Sequence, residues 1–264
     1  MWRACSNSSS CVRVTLATLP VAALLYHRNK ELSHCHKLDS LSTELNKIRM
    51  IEKAMRERWI KDEEGWRKLP ARAWPEYQPE AAEIPQLQEE MKKLCSPSSD
   101  GDLCADVTFN LATALIFNNV DTNKGLHLYK SLAAQGDARG ACGAGVCLVE
   151  GYGVDPDEEL GATYIQQACA AGYAQGIFEL ASLLYAGNAA PYVPEDVGKA
   201  YQLFEKAAEL DHTAALYMQA DCLMNGEGCE QDRAKAVGLL YRAGERGHRF
   251  ARATLLNLLH EKSS

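Results

Sequence analysis

The stretch "RGACGAGVCLVEGYGVD", Arg139 to Asp155, is the most glycine-dense part of this 264-residue chain. Its five glycines stand at positions 140, 143, 145, 151 and 153. A phosphate-binding loop would place G-x-G-x-x-G or G-x-x-x-x-G-K-[ST] between a strand and a helix. The spacing here fits neither pattern, so we interpret the glycines as packing and turn residues.

A repeat surrounds this stretch and predicts the fold. Gly136, Gly172, Asp211 and Gly247 each follow a similar helical run, and they are separated by 36, 39 and 36 residues. The longer interval carries the insertion "NAAPYVPED", residues 188–196. A fixed period in the thirties is typical of stacked pairs of helices. We therefore take these four residues as anchors of a helical repeat.

Side-chain size follows the same register. Apolar residues stand seven positions before the anchors, at Tyr129, Ile165, Phe204 and Leu240. Small residues stand four positions after the anchors, at Gly140, Gly176, Ala215 and Ala251. In this register the glycines at 140, 143 and 145 lie inside a helix, and those at 151 and 153 form the turn after it. Asp155 is then the expected N-cap of the next helix, with Pro156 as its first residue.

The repeated segments resemble the Sel-one-like repeat family, a branch of the tetratricopeptide-like solenoids. "FEKAAELDHTAAL" and "LAAQGDARGACGAG" match the helical part of its pattern, and "EGYGVD" and "NGEGCE" match its turn. The resemblance implies an all-α fold, a right-handed α/α superhelix of about four to five helical-pair repeats over residues 105–262, preceded by a helical N-terminal extension. "VTFNLATALIF" is then a degenerate first element, and "RATLLNLLHEK" is the closing cap.

The N-terminal segment, residues 1–30, is predicted to be a targeting presequence or a short membrane anchor. It carries arginines and no acidic residue, and its apolar run from Val14 to Tyr26 is shorter than the ~20 residues of a spanning helix. A mitochondrial presequence is our working interpretation. A secretory signal or signal anchor, and a plain soluble N terminus, remain open.

Three further segments precede the repeats. Residues 31–68 are predicted to form a charged amphipathic helix. Its apolar positions are Leu38, Leu41, Leu45, Ile48, Met55 and Trp59, and Glu52 occupies one position that should be apolar. The spacing suits a marginal coiled coil, or docking on the chain's own domain or a partner. Residues 69–85 hold four prolines and are a connector. Residues 86–104 are a short helix and a turn, flanked by Cys95 and Cys104, which can form a disulfide in an oxidising compartment.

Composition excludes several classes of function. From residue 105 onward there are twenty acidic and twelve basic residues, which argues against a nucleic-acid surface. No C-x-x-C motif occurs among the ten cysteines, and the adjacent His34, Cys35 and His36 lack partner ligands, so we expect no metal and no cofactor. His212 and His248 share one register, which favours a repeat position over a catalyst. We expect no enzyme activity.

The function that the resemblance implies is protein binding, as an adaptor, assembly factor or scaffold of a multiprotein complex. The first helix of each pair is expected to line a concave surface. Candidate contact residues are Arg139, Gln175, Glu179, Tyr217 and Gln219, with Trp74 and Tyr77 in the connector. We expect a mitochondrial location, in the membrane, matrix or intermembrane space, with membrane contact through residues 14–26. The alternatives are an accessory subunit of a mitochondrial membrane complex with a retained anchor, and a secretory-pathway adaptor.

Overall fold

The protein is described by a computed structural model that covers residues 79–95, 101–187, 189 and 191–260, with Asn46, Met50, Ile51 and Lys53. Within residues 79–260 a 3₁₀ turn at Ala81–Glu83 precedes ten α-helices, and the described part contains no strand. The helices are α1 (Ile84–Leu94), α2 (Gly101–Phe117), α3 (Thr122–Ala134), α4 (Ala138–Glu150), α5 (Glu158–Ala170), α6 (Ala174–Ala186), α7 (Val197–Glu209), α8 (Thr213–Asn225), α9 (Arg233–Glu245) and α10 (Arg249–His260).

Helices pack in the order in which they follow along the chain. Each of α2 to α10 contacts the helix before it, and α4 also contacts α6 in the next pair. This arrangement gives four pairs, α2–α3, α4–α5, α6–α7 and α8–α9, followed by α10. The predicted all-α solenoid of helical pairs is confirmed.

The predicted register is confirmed by the core. The apolar residues seven positions before the anchors are all buried, as are the small residues four positions after them. Gly145 shows why small residues are needed, since a Cβ added there would lie 2.6 Å from Cγ1 of Ile165 and 2.8 Å from the carbonyl oxygen of Gly161. At Gly143 the nearest atoms belong to the Tyr129 ring, at 2.8 Å. The packing interpretation of these glycines is therefore confirmed.

The turns that join the two helices within a pair follow one pattern. Gly151 ends α4 with φ 69°, in the left-handed region that favours glycine. The chain then returns so that the backbone N–H of Asp157 donates to the carbonyl oxygen of Leu148 at 2.9 Å. The same bond closes the later turns, from Asp196 to Leu184 and from Asp232 to Leu223.

The expected N-cap at Asp155 is wrong. Asp157 caps α5 by accepting a bond from the backbone N–H of Leu160 at 3.0 Å, and Pro156 therefore lies before the helix. The bond that closes this turn is donated by the backbone N–H of Asp157, so the turn is two residues longer than the sequence pattern suggested. The second helices α3, α5, α7 and α9 all have an aspartate N-cap of this kind, at Asp121, Asp157, Asp196 and Asp232.

The N-terminal end of the described body is joined to the first pair. Cys95 and Cys104 form a disulfide between α1 and α2, with a Cα–Cα distance of 5.0 Å. Ile84 and Leu87 share a hydrophobic core with α2. The boundary placed at residues 104 and 105 therefore falls inside α2. The connector residues Trp74 and Tyr77, the metal candidate at 34–36 and the apolar run at 14–26 lie outside the described residues.

Candidate protein-binding face

The histidine rings at the N-termini of α8 and α10 each pack on the first helix of the preceding pair. The ring of His212 lies 4.8 Å from that of Phe178, and the ring of His248 lies 4.7 Å from that of Tyr217 in a stacked arrangement. Phe178 and Tyr217 each stand six positions after an anchor, so both contacts repeat one geometry. We call Phe178, His212, Tyr217, His248 and Phe250 the aromatic ladder.

Both histidines are N-caps. Nδ1 of His212 accepts a hydrogen bond from the backbone N–H of Ala215, and Nδ1 of His248 accepts one from Ala251, each at 3.2 Å. A neutral ring whose Nδ1 accepts carries its proton on Nε2. The prediction that these histidines share a repeat position is confirmed, and capping is the physical reason for it.

A chain of hydrogen bonds continues from His212 into α6. Nε2 of His212 donates to Oε1 of Gln175 at 2.6 Å, and Nε2 of Gln175 donates to Oε1 of Glu179, also at 2.6 Å. Burial, with the charge of His248 as a smaller cause, lowers the pKa of His212 to about 4. Burial likewise lowers the pKa of His248 to about 4. Both rings are therefore neutral at pH 7, which suits the hydrogen bonds they make.

The C-terminal end of the ladder is accessible. Phe250 is 43% exposed, and the guanidinium of Arg249 lies over its ring at 4.8 Å from the centroid. Tyr217 is half-buried and stacked on His248. The two aromatic rings, 6.5 Å apart, are thus held in place and reach the surface.

Arg139, the candidate on α4, is held by two carboxylates. Its guanidinium donates to Asp137 at 2.8 Å and to Asp106 of α2 at 2.5 Å. Hydrogen bonding to Asp137 raises the pKa of Arg139 further above its usual range. About a third of the side chain stays exposed, so Arg139 presents part of a paired charge.

Gln175 and Gln219, two more candidates, lie inside the solenoid. Gln175 is 4% exposed and Gln219 is 3% exposed. Gln219 donates to Oε1 of Glu205 at 3.1 Å, and the same oxygen accepts from Nζ of Lys235 at 3.1 Å. These amides join neighbouring helices and offer little surface to a partner. The contact role of Arg139, Glu179 and Tyr217 stays a prediction.

In the residues that the structure describes, no three histidine, cysteine or acidic side chains are grouped to hold a metal. Burial raises the pKa of Cys142, and it raises the pKa of Cys147 to about 12, so both stay as neutral thiols at pH 7. Cys142 and Cys169 are free thiols. Phe250 and the capping role of the histidines were missed from sequence, although the shared register of His212 and His248 was a signal.

Comparison with known families agrees with this architecture. The Sel1 repeat model matches residues 119–137, 138–173, 174–212 and 213–248, so residues 119–248 are four Sel1 repeats. The resemblance stated from sequence is confirmed. Sel1-repeat proteins are generally scaffolds for protein interactions and are typically not catalytic.

Two solved structures match about half of this chain at low identity. A Sel1 repeat protein from Oxalobacter formigenes is 23% identical, with 50% of this chain and 97% of that chain covered and a TM-score of 0.45. Helicobacter pylori cysteine rich protein B is 22% identical, with 51% and 95% covered and a TM-score of 0.41. No curated protein gives a match. Among the described residues, no helix has the length and apolar character needed to cross a membrane.

Proposed function

We propose that this chain is a non-enzymatic adaptor that binds a protein partner at the aromatic ladder. The observation that carries the proposal is the pair Tyr217 and Phe250, whose rings lie 6.5 Å apart at the C-terminal end of the ladder, with Tyr217 stacked on His248. Aromatic side chains with few rotatable bonds lose little entropy on binding and are enriched among residues that dominate interface energies. Arg249 beside Phe250 belongs to the same enriched group.

The partner that suits this surface is a helix or extended peptide with an apolar anchor. The anchor would lie against Phe250 and Tyr217, and polar groups of the partner would meet Arg139 or Glu179 farther along the first helices. A solenoid presents such positions on successive repeats, so a long segment can be bound at several points.

The location that we propose is mitochondrial, within a multiprotein complex. The acid-free, arginine-bearing N-terminal segment supports it. The Cys95–Cys104 disulfide supports an oxidising compartment, which favours the intermembrane space over the matrix. The same bond suits a secretory-pathway adaptor, the alternative location.

Two measurements separate these locations and roles. A fluorescent fusion of residues 1–40 reports the organelle. Sequencing of the mature N terminus distinguishes a soluble assembly factor, cleaved between about residues 28 and 40, from an accessory subunit that keeps residues 14–26 as an anchor. Entry of the fusion into the secretory pathway would overturn the mitochondrial proposal.

The binding proposal is tested by crosslinking and affinity purification from mitochondria. We compare the native chain with Tyr217→Ala and Phe250→Ala, and we use Tyr192→Ala as the control because Tyr192 is an exposed tyrosine in the insertion between α6 and α7. Loss of a dominant interface residue costs ~2 kcal/mol or more, so partner recovery should fall more than about tenfold in the ladder variants alone. Equal recovery from all four chains, or recovery of no protein from any of them, would contradict the proposal.

A further inference from the structure

The turn that joins α9 to α10 is basic, although the repeats before it are acidic. Four arginines and one glutamate stand between positions 242 and 252. From residue 105 to 241 there are eighteen acidic and seven basic residues. The charge of this turn is therefore opposite in sign to that of the preceding repeats. We call its four arginines the basic patch: Arg242, Arg246, Arg249 and Arg252.

Two arginines of the patch share one carboxylate. Nη2 of Arg242 lies 3.1 Å from Oδ1 of Asp211, and Nη2 of Arg246 lies 2.8 Å from the same oxygen. Nη1 of Arg246 also donates to the carbonyl oxygen of Asp211 at 2.7 Å. The side chains of Arg242 and Arg246 are nevertheless 51% and 38% exposed. Because two guanidinium groups share a single carboxylate, a positive charge remains at the surface.

Asp211 departs from the repeat in order to make these contacts. The other three anchors are Gly136, Gly172 and Gly247, and all four anchors have a positive φ. The φ of Asp211 is 63°, a conformation that is less favourable for a residue with a Cβ than for glycine. Backbone strain of this kind persists where surrounding contacts hold the residue. Here the contacts are those with the two arginines, whose guanidinium groups are fixed beside the α9–α10 turn as a result.

The other two arginines adjoin the aromatic ladder. The guanidinium of Arg249 lies over the ring of Phe250, and that ring lies 6.0 Å from the ring of His248. Nε of Arg252 donates to the carbonyl oxygen of Gly244 at 2.6 Å, which ties the first turn of α10 to the end of α9. Phe250, the exposed ring of the ladder, therefore lies next to a surface of positive charge.

We propose that the partner segment bound at the aromatic ladder is acidic, with aspartate or glutamate side chains beside its apolar anchor. This inference rests on the proposed adaptor function and names the chemistry of the partner. The anchor lies against Phe250, and the carboxylates beside it accept charge-assisted hydrogen bonds from Arg242 and Arg246. Aromatic and arginine side chains are also the two kinds of residue that most often dominate interface energies.

An acidic peptide suits the patch better than a nucleic acid does. Affinity for a nucleic acid depends on phosphate contacts from many basic residues. Here the positive charge is confined to one turn, and a strand that extended from it along the repeats would meet acidic residues. A short acidic segment avoids this repulsion, and its apolar anchor uses the exposed ring.

Fluorescence anisotropy of the full-length chain with three synthetic peptides tests this inference. The peptides share a central Phe-Leu anchor, and their flanks consist of glutamate, glutamine or lysine. The glutamate peptide should bind about tenfold more tightly than the glutamine peptide, and added salt should reduce the difference because exposed ion pairs are screened. Equal affinity for all three, tightest binding of the lysine peptide, or binding of none of them would overturn the proposal.

Variants of the patch assign the effect to its arginines. Arg242→Gln and Arg246→Gln should each weaken binding of the glutamate peptide about threefold and leave the glutamine peptide unchanged. Arg233→Gln is the matched control, because Arg233 is an exposed arginine at the first position of α9, at the other end of the same helix. An effect of Arg233→Gln as large as that of the patch variants would contradict the assignment.

Asp211→Gly should change the affinity in the opposite direction. Glycine is the residue of the other three anchors, so the left-handed turn is kept while the shared carboxylate is removed. The glutamate peptide should then bind about threefold more tightly. Poor folding of the variant cannot produce such a gain, and weaker binding would count against recognition by charge.

Phe250→Ala separates this inference from the adaptor function. Three peptides that bind equally well to the native chain and all lose affinity in Phe250→Ala would overturn the acidic partner and leave the ladder as a binding surface. Loss of affinity in the arginine variants without any effect of Phe250→Ala would overturn the ladder instead. Displacement of the glutamate peptide by a single-stranded DNA oligonucleotide at a lower concentration than by unlabelled peptide would assign the patch to a nucleic acid and overturn the proposal.

Discussion

The central repeats and the C-terminal end of the solenoid use one register for different purposes. In α4 the contact position is Gly145, and a second helix lies so close that a Cβ would collide with it. In α10 the same position is Leu256. The N-cap of α6 is Tyr173, whose side chain makes no capping bond, whereas α8 and α10 have histidine caps.

The difference shows that the centre and the C-terminal end of the repeat array have different packing requirements. A central pair has neighbours on both sides, and small residues such as Gly145 allow its two helices to pack closely. The C-terminal end has one side without a sequential neighbour among the described helices, and its caps and exposed rings form a surface. Substitutions in the central pair and at the C-terminal end should therefore have different effects on stability.

Overpacking the central pair should have the largest effect. Gly145→Leu is expected to destabilise the protein by about 3 kcal/mol, because the side chain meets the backbone of α5 at Gly161. Gly143→Leu should cost less, since its nearest contacts are with the ring of Tyr129. Urea unfolding measures both. Unchanged stability in the two variants would show that the assigned helix register is wrong.

Acid should weaken the C-terminal end selectively. His212 has a pKa of about 4 in the folded chain and an ordinary value of 6.5. The unfolded state therefore binds more protons between these values, and stability is lost as the pH falls from 6.5 towards 4. The loss expected from His212 alone between pH 7 and pH 5 is about 1–2 kcal/mol, and His248, with the same lowered pKa, adds to it.

The variant that isolates this effect is His212→Asn, because asparagine is a good N-cap that does not titrate. Its thermal midpoint should fall less between pH 7 and pH 5 than that of the native chain. Hydrogen exchange at pH 5 should rise first in peptides of α8. A pH response identical to that of the native chain would rule out His212 as the titrating group.

Removal of the N-cap of α5 should have a smaller effect on stability and tests the structure of the turn before it. Asp157→Ala should cost ~1 kcal/mol, because the backbone N–H of Leu160 loses its side-chain acceptor. Asp155→Ala should change the stability by less than ~0.5 kcal/mol. Thermal unfolding of the two variants compares the observed cap with the one expected from sequence, and a larger effect at Asp155 would contradict the observed turn.

The smallest effect should be a gain. Gly238 lies within α9, and a Cβ added there would meet nothing within 4 Å. Gly238→Ala should therefore stabilise the chain by ~0.5–1 kcal/mol through helix propensity alone. Gly145→Ala is the matched variant, and it should destabilise the chain because its Cβ has no space. A loss of stability in both would mean that helical glycines in this chain serve packing wherever they occur.

Much of the fold was predictable because neighbouring helices repeat the same spacing. The anchors, the buried residues seven positions before them and the packing role of Gly143 and Gly145 all follow from local periodicity. Asp155 was misassigned because the position of the cap depends on the bond from Asp157 to Leu148 that closes the turn. Sequence pattern does not encode that bond.

Less of the candidate site could be predicted. Tyr217 was chosen from its place on a first helix, and the structure leaves it at the surface. Gln175 and Gln219 were chosen in the same way, but the partners that bury them, His212 and Glu205, lie 37 and 14 residues away. Whether a polar residue faces a partner or a neighbouring helix depends on such contacts, which sequence spacing alone does not show.

The helical pairs and their register follow from the spacing of residues along the chain, because they depend on contacts between adjacent segments. Packing between helices decides which side chains stay exposed and which histidines are caps. These properties arise where residues distant in sequence meet, as Nε2 of His212 meets Oε1 of Gln175. A stripe of apolar residues predicts that a helix will be covered on one face, but only packing decides by what.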